Sequence, residues 1–195
     1  MGKVVTHMTM SLDGFIAAPD DGIAELFGWY EAGTVTVPTA HEQQSFKVDE
    51  RSAQMLREAM ATTGALVCGR RLFDITNGWD DRHPAGAPVV VVTHDPPPDA
   101  GRWKTTTFAG SVPTGIAAAR QIAGDNDVTI ASASISAQAL DLGLVDEVTI
   151  SLVPVLMGKG IPYFAHLARA PHRFDDPVII PGRGVTHLRY AVRRT

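Results

Sequence analysis

The stretch Leu66-Val67-Cys68-Gly69-Arg70-Arg71-Leu72-Phe73-Asp74 decides how the rest of the chain is read. Its apolar start reads as a short buried strand, the glycine ends the strand, and two adjacent arginines open a helix. Backbone N–H groups at a helix start favour an anion, and a glycine without Cβ lets a phosphate come close. Two guanidiniums add planar, permanently charged forks suited to phosphate oxygens. The segment therefore reads as a nucleotide phosphate cradle, with a ribose 2′-phosphate as the reason for a second arginine. An arginine pair solvated on a surface turn is the plainer alternative.

On either side of this segment, strands and helices alternate. Residues 3–10 read as a first strand ending in the turn formers Ser11-Leu12-Asp13-Gly14. Residues 17–48 read as a long irregular stretch, with a turn at Pro19-Asp20-Asp21-Gly22 and a short strand at Thr34-Val35-Thr36-Val37. Trp29 and Tyr30 favour a packed lid over a floppy linker there. Asp49-Glu50 start a helix through about Ala61, with Met55, Leu56, Ala59 and Met60 on one face. The strand 65–68 and a helix over 70–76 follow. Pro88 introduces Val89-Val90-Val91-Val92-Thr93, an apolar run suited to a strand covered on both faces. A shorter strand is expected over 104–108, a helix from Pro113, a strand over 128–131, and a helix N-capped by Ser134 and closed by Gly143. The last third is strand-rich: 145–153, then a hairpin of 173–180 and 184–193 around Pro181-Gly182-Arg183-Gly184. Alternation implies a parallel sheet with helices on both faces, and the hairpin adds antiparallel edge strands, so the sheet is mixed.

The totals set limits. With 195 residues, 45% apolar and 19% charged, the chain suits one globular domain over 1–195 with a substantial core. A net charge of −4 argues against non-specific binding to nucleic acid or an anionic membrane surface. Any arginine-lined anion site must be local. The one cysteine, Cys68, excludes an intrachain disulfide and reads as core packing in a reducing compartment. The first residues are too mixed for a secretory segment, and no run approaches a membrane span, so a cytoplasmic location is expected.

The order and spacing of five segments resemble the dihydrofolate reductase-like superfamily. They are Ser11-Leu12-Asp13-Gly14-Phe15-Ile16-Ala17, Gly69-Arg70-Arg71-Leu72-Phe73-Asp74, the run 89–94, Ser136-Ala137-Gln138-Ala139-Leu140, and Gly143-Leu144-Val145-Asp146-Glu147 leading to Pro154-Val155-Leu156-Met157-Gly158-Lys159-Gly160. The chain is most similar to the reductase (C-terminal) domain of the riboflavin-pathway bifunctional deaminase–reductase and its stand-alone bacterial relatives. The resemblance implies an α/β/α sandwich around a mixed, mostly parallel sheet, NADPH as cofactor, and a homodimer. It implies that the cofactor meets Gly69, Arg70, Arg71 and Leu72, then Thr93 and His94, then Ala131, Ser132, Ala133, Ser134 and Ile135. Substrate would meet Leu12, Asp13, Phe15, Trp79 and Pro154.

Two departures from the family pattern stand out. Leu72 replaces a threonine, and Ala131-Ser132-Ala133 replaces a Gly-Gly turn, adding side chains where a phosphate would sit. No carboxylate suits a pterin: the position expected for one falls near Ala53, with Asp49 and Glu50 a turn earlier. Folate reduction is therefore not expected. A ribosylaminopyrimidine phosphate, whose sugar is reduced, is the implied substrate. Asp13 is the best-placed carboxylate for a substrate contact or proton relay, or else caps its own loop. Trp79 would stack on a planar ring at the cleft edge, or pack a loop. Asp80, Asp81 and His83 lack a second ligand cluster, so no metal is expected. A ligand-binding protein that kept the fold without the chemistry is the rival reading.

Overall fold

The computed structural model describes residues 2–41, 44–165 and 167–193. In chain order the elements are β1 (Val4–Ser11), β2 (Phe15–Ala17), α1 (Ala24–Phe27), β3 (Val35–Pro38), β4 (Ser45–Val48), α2 (Glu50–Thr62), β5 (Thr63–Gly69), α3 (Arg70–Ile75), β6 (Val89–Val92), β7 (Thr106–Ala109), α4 (Val112–Ala123), β8 (Asp127–Ile130), α5 (Ala133–Asp141), β9 (Glu147–Val153), β10 (Ile161–Pro162), β11 (Val178–Gly182) and β12 (Val185–Ala191). Eight strands form one sheet in the order β11-β12-β9-β1-β8-β5-β6-β7. The pairs from β9 through β7 are parallel, and β12 and β11 add the antiparallel edge. The expected mixed, mostly parallel sheet is what the chain forms.

Alternate residues of each strand face opposite layers. In β6, Val90 joins a core cluster with Val67, Ile116, Ala119 and Ile135, under α4 and α5. Val89 and Val91 join Leu66, Cys68, Phe73 and Trp103 on the opposite face. The unbroken valine run is thus explained by burial on both sides. Helix α4 starts with a capping box between Ser111 and Thr114 and has proline in its first turn. Helix α2 starts at Asp49, whose side chain accepts from the backbone N–H groups of Arg51 and Ser52.

Several boundaries differ from the sequence reading. The stretch 17–48 is not irregular. Leu26, Trp29, Val37 and Val48 pack with Met55 and Leu56 of α2 and with Val153 and Val185, and Tyr30 stacks on Phe46 with ring centroids 4.2 Å apart. Residues 42 and 43 of that stretch lie outside the described residues. Helix α5 starts two residues earlier than expected, with Ser132 rather than Ser134 at its N-cap. The aromatic packing that organises the former, and the backbone path that sets the latter, are both tertiary.

After α3 the backbone runs left-handed through Asn77, Gly78, Trp79, Asp80 and Asp81, with φ between 48° and 62°. This conformation is costly for non-glycine residues. Asp81 holds it from beyond, its carboxylate accepting from the backbone N–H groups of Lys104 (2.6 Å) and Thr105 (2.9 Å) at the entry to β7. Gly78 is required at its place, because a Cβ there would lie 2.6 Å from the Phe73 ring.

Three imidazoles give the fold a pH signature. Burial lowers His7, His83 and His187 to about 4 each, with the charges of Arg189 (at His7) and His41 (at His83) acting in the same direction. At His187 the neighbouring His7 and Arg189 also lower the value, against the opposing pull of Asp49. An unfolded histidine titrates near 6.5, so the unfolded chain binds more protons than the native one below that pH. The melting temperature should be level above about pH 7 and fall progressively from about 6.5 towards 4. Circular-dichroism melts across that range test this; an unchanged melting temperature at pH 4.5 would refute it. Separately, Gly64→Ala puts a Cβ 2.8 Å from the Ala123 Cα, backbone that must shift, and should destabilise by roughly 1–3 kcal/mol in denaturant titrations.

Candidate active site

In a parallel sheet the carboxyl ends of the strands lie along one rim, where ligands of open α/β folds bind. Many of the residues singled out from the sequence follow or end these strands. Gly69 ends β5 and Arg70 follows it, Thr93 follows β6, Ala131 and Ser132 follow β8, Leu12 and Asp13 follow β1, and Pro154 follows β9. Gly69 and Ser132 face each other: a Cβ on Gly69 would lie 3.4 Å from Ser132 Oγ and 3.9 Å from Ile135 Cγ1. Ser132 is extended at φ −174° and makes no capping hydrogen bond, so the first-turn N–H groups of α5 have no side-chain acceptor. Ala131, Ser132 and Ala133 are half-exposed and Ser134 is exposed. The small side chains that replace the expected glycines thus stay partly in contact with solvent, with Ser132 Oγ packed against Gly69.

The arginine pair does not form one cradle. Arg70 Nε donates to both carboxylate oxygens of Asp74, at 2.7 and 2.9 Å, and its Nη1 donates to the Asp95 carbonyl after β6. Arg71 turns the other way and forms a two-pronged pair with Asp21, at 2.8 and 2.9 Å, tying the turn 18–22 to the start of α3. Only Arg70 lies on the β6 side, beside Thr93. The Thr93 hydroxyl is engaged with Asp95, accepting from its N–H at 3.1 Å and donating to its carbonyl at 3.2 Å. His94 is exposed on that turn.

Asp13 holds the loop after β1. Its carboxylate accepts from the Ser11 hydroxyl (2.6 Å) and from the backbone N–H groups of Gly158 (2.6 Å) and Met157 (3.1 Å). The Ser11 hydroxyl and these two amides outweigh partial desolvation and lower Asp13 to about 2. A carboxylate held ionised by three donors has no proton to deliver. In this arrangement Asp13 clasps the loop, the capping role that the sequence offered beside a substrate contact or proton relay. The Leu12 N–H donates to the Val155 carbonyl at 2.8 Å, so a second bond closes the same loop.

Three further expectations are redirected by packing. Ile135 is 5% exposed and its side chain is core; only its backbone faces the rim. Trp79 sits in the left-handed turn, edge-on to His83 with centroids 4.8 Å apart and packed on the Phe73–Trp103 cluster, so it packs a loop. Leu72 packs on the same cluster, which explains an apolar residue at the threonine position. Phe15 is half-buried in β2. Gly160 lets the two strands close: a Cβ there would be 2.3 Å from the Ala17 carbonyl oxygen. Ala53 is fully buried on α2, so no carboxylate points from that position into the cleft.

The sequence reading missed a polar row on the α2 face of the sheet. Ser52, Ser151 and His187 are fully buried there, and His7 is half-exposed beside them. The alternation His7, Thr9, Ser11 along β1 was the available signal: every second residue is polar in a strand whose neighbours in the sheet bury both faces. Among the described residues, no three His, Cys, Asp or Glu side chains are grouped to hold a metal. No helix among them is long and apolar enough to cross a membrane.

The sequence matches the family model for the RibD C-terminal domain over residues 2–170. Its fold resembles a protein from Shewanella sp. PV-4 assigned provisionally to riboflavin biosynthesis, with a TM-score of 0.71, 22% identity, and coverage of 98% of this chain and 99% of that one. Acinetobacter baumannii RibD superposes with a TM-score of 0.61 at 18% identity; 99% of this chain is covered, but it spans only 58% of that protein. Dihydrofolate reductase from Enterococcus faecalis, in complex with NADP(H) and RAB-propyl, gives 0.62 at 13% identity, over 99% of this chain and 98% of that one. At these identities the likeness establishes the dihydrofolate reductase-like fold. No curated protein matches the sequence.

The clasp makes its own prediction. Asp13→Asn should free the Met157 and Gly158 amides and raise their hydrogen-exchange rates, while exchange in β5 and β6 stays as it was; unchanged protection at Gly158 would refute the clasp. Because the Asp13 carboxyl is held at about 2, the clasp should persist through pH 4 and be lost as the pH falls through about 2. The five ordered motifs, the sheet order and the match over residues 2–170 agree: the chain belongs to the RibD C-terminal domain family.

Proposed function

We propose that this protein is an NADPH-dependent reductase acting on a small heterocycle of the ribosylaminopyrimidine phosphate type. The observation that carries the reading is the placing of Gly69, which has no side chain, against the uncapped start of α5, with Arg70 reaching from the end of β5 to the Asp95 carbonyl after β6. That arrangement suits a dinucleotide laid across the rim. Its diphosphate would take the Ser132 hydroxyl and the N–H groups of α5, and a 2′-phosphate would take Arg70. When bound, a nicotinamide supplies the hydride; the protein orients it and keeps water away. Family membership supports a reductase, and the structurally similar enterococcal enzyme carries NADP(H) in its complex. Asp13 acts here as a positioning residue, fixing the loop that borders the substrate side. For self-association, β11 is the sheet edge, and it leaves Val178 and Ile179 more than half exposed.

The second reading, a binding protein without reductase chemistry, is favoured by one observation: both arginines are already paired with carboxylates. These pairs are exposed and weak, so a doubly charged phosphate group outcompetes Asp74 for Arg70. Titration with NADPH separates the readings. A reductase is stabilised by about 2.7 kcal/mol at a hundredfold excess over Kd, read as a rise in melting temperature. No shift at millimolar NADPH would favour the binding protein. Arg70→Ala should weaken NADPH roughly tenfold or more and leave NADH nearly unchanged; equal losses would show that Arg70 does not read the 2′-phosphate.

A further inference from the structure

Five side chains from four elements form one hydrogen-bonded line on the α2 face of the sheet. Asp49 Oδ2, at the cap of α2, lies 2.7 Å from Ser52 Oγ. Ser52 Oγ lies 3.0 Å from His187 Nε2 of β12, His187 Nδ1 lies 3.0 Å from Ser151 Oγ of β9, and Ser151 Oγ lies 3.0 Å from His7 Nε2 of β1. Ser52, Ser151 and His187 are fully buried, so these atoms have only one another as partners. Such a line can be polarised in one direction or the other, and its end group decides which.

Asp49 is that end group. Its carboxylate also accepts from the backbone N–H groups of Arg183 (2.8 Å), Arg51 (3.0 Å) and Ser52 (3.2 Å). Partial burial acts against its charge, but these donors and the Ser52 hydroxyl outweigh it and hold the group at about 2. An ionised carboxylate offers no proton, so the Ser52 hydroxyl donates to Asp49 and its oxygen accepts from His187 Nε2–H. His187 is neutral by burial, which leaves Nδ1 bare to accept the Ser151 proton. The Ser151 proton being used, its oxygen accepts from His7 Nε2–H. His7, neutral through burial and the Arg189 charge, then keeps a bare Nδ1. The other groups facing the line are Arg189, itself 3.6 Å from Glu58 of α2, and the Trp29 ring, edge-on to His187 at 5.1 Å. None of these supplies a proton that would reverse it.

His7 is the half-buried end of the line, on the α2 face of β1. It pairs in register with Thr149 of β9, and on its other side Thr6 pairs with Ile130, the last residue of β8 before the Ala131-Ser132 turn. The apolar clusters on this face lie to either side, one over β9 and β12 under α2 and one over β5 and β6. We propose that Asp49, acting through Ser52, His187 and Ser151, locks His7 as a hydrogen-bond acceptor, so that His7 selects ligands presenting an N–H or O–H donor, such as a pyrimidine ring N–H or a sugar hydroxyl. Asp49 is thereby a positioning residue, and His7 is the ligand-touching one. The choice of ligand class rests on the reductase reading; the polarity of the line does not.

Histidine tautomers, read from long-range ¹H–¹⁵N correlations at neutral pH, test the line without cofactor or substrate. His7 and His187 should both be Nε2–H. Asp49→Asn, whose amide N–H donates to Ser52, should reverse the line and move the His7 proton to Nδ1. Ser52→Ala, a smaller change, should leave a mixture of tautomers at His7. A His7 Nδ1–H tautomer in the unaltered protein, or unchanged tautomers in both variants, would overturn the proposal. Adding 5-amino-6-(5-phosphoribosylamino)uracil should move the His7 Nδ1 resonance towards that of a hydrogen-bonded acceptor. His7→Leu should raise KM for this compound roughly tenfold, with His7→Gln recovering most of the loss and the NADPH Kd unchanged in both. Bound compound that leaves Nδ1 unmoved would overturn the role of His7. Failure to bind NADPH, with the tautomers as stated, would instead overturn the reductase reading and leave the locked acceptor standing.

Discussion

Strand β1 is hydrogen-bonded in parallel to β8 on one side and to β9 on the other, and the rest of the site depends on that double pairing. It sets the carboxyl ends of β1, β8 and β9 side by side, so the Leu12–Asp13 loop, the Ala131–Ser132 turn and Pro154 follow neighbouring strand ends. It also sets the row of polar residues on the α2 face. Side chains on one face of a sheet lie beside those of the neighbouring strands, so half-buried His7 on β1 reaches Ser151, two residues beyond its register partner Thr149 on β9, and Ser151 in turn meets His187, its partner on β12.

Two physical constraints divide the labour around that strand. One face, under α4 and α5, is an almost continuous apolar core that carries stability. The other face is split into two apolar clusters, and the split is what leaves polar groups between them. Buried polar groups are tolerated only when each donor finds an acceptor, and the line from Asp49 to His7 meets that condition with single protons passed in one direction. The same logic makes Asp13 and Asp81 structural: each carboxylate gathers backbone N–H groups that a loop or a strand entry would otherwise leave without partners.

Much was legible in the residues. The valine run, the capping residues and the alternation of strand and helix point to a mixed sheet, and Gly69 does face the start of α5. The arginine pair shows where such reading stops. Adjacent side chains at a helix start point in different directions, so two guanidiniums next to each other in sequence serve different partners, Asp74 and Asp21, in space. Trp79 shows the same limit: its left-handed backbone, held by Asp81 from across the β7 entry, turns the ring into the core.

By itself the sequence determined what local periodicity, capping and turn chemistry specify: which segments become strands or helices, their order, and the family pattern they carry. Only the tertiary structure decided which distant polar residues meet. Asp49 and His7 lie forty-two positions apart, and His187 far beyond both, so no local pattern couples them. Their partnership arises from sheet register and burial, which exclude water from Ser52, Ser151 and His187 and leave these side chains only other members of the line as partners.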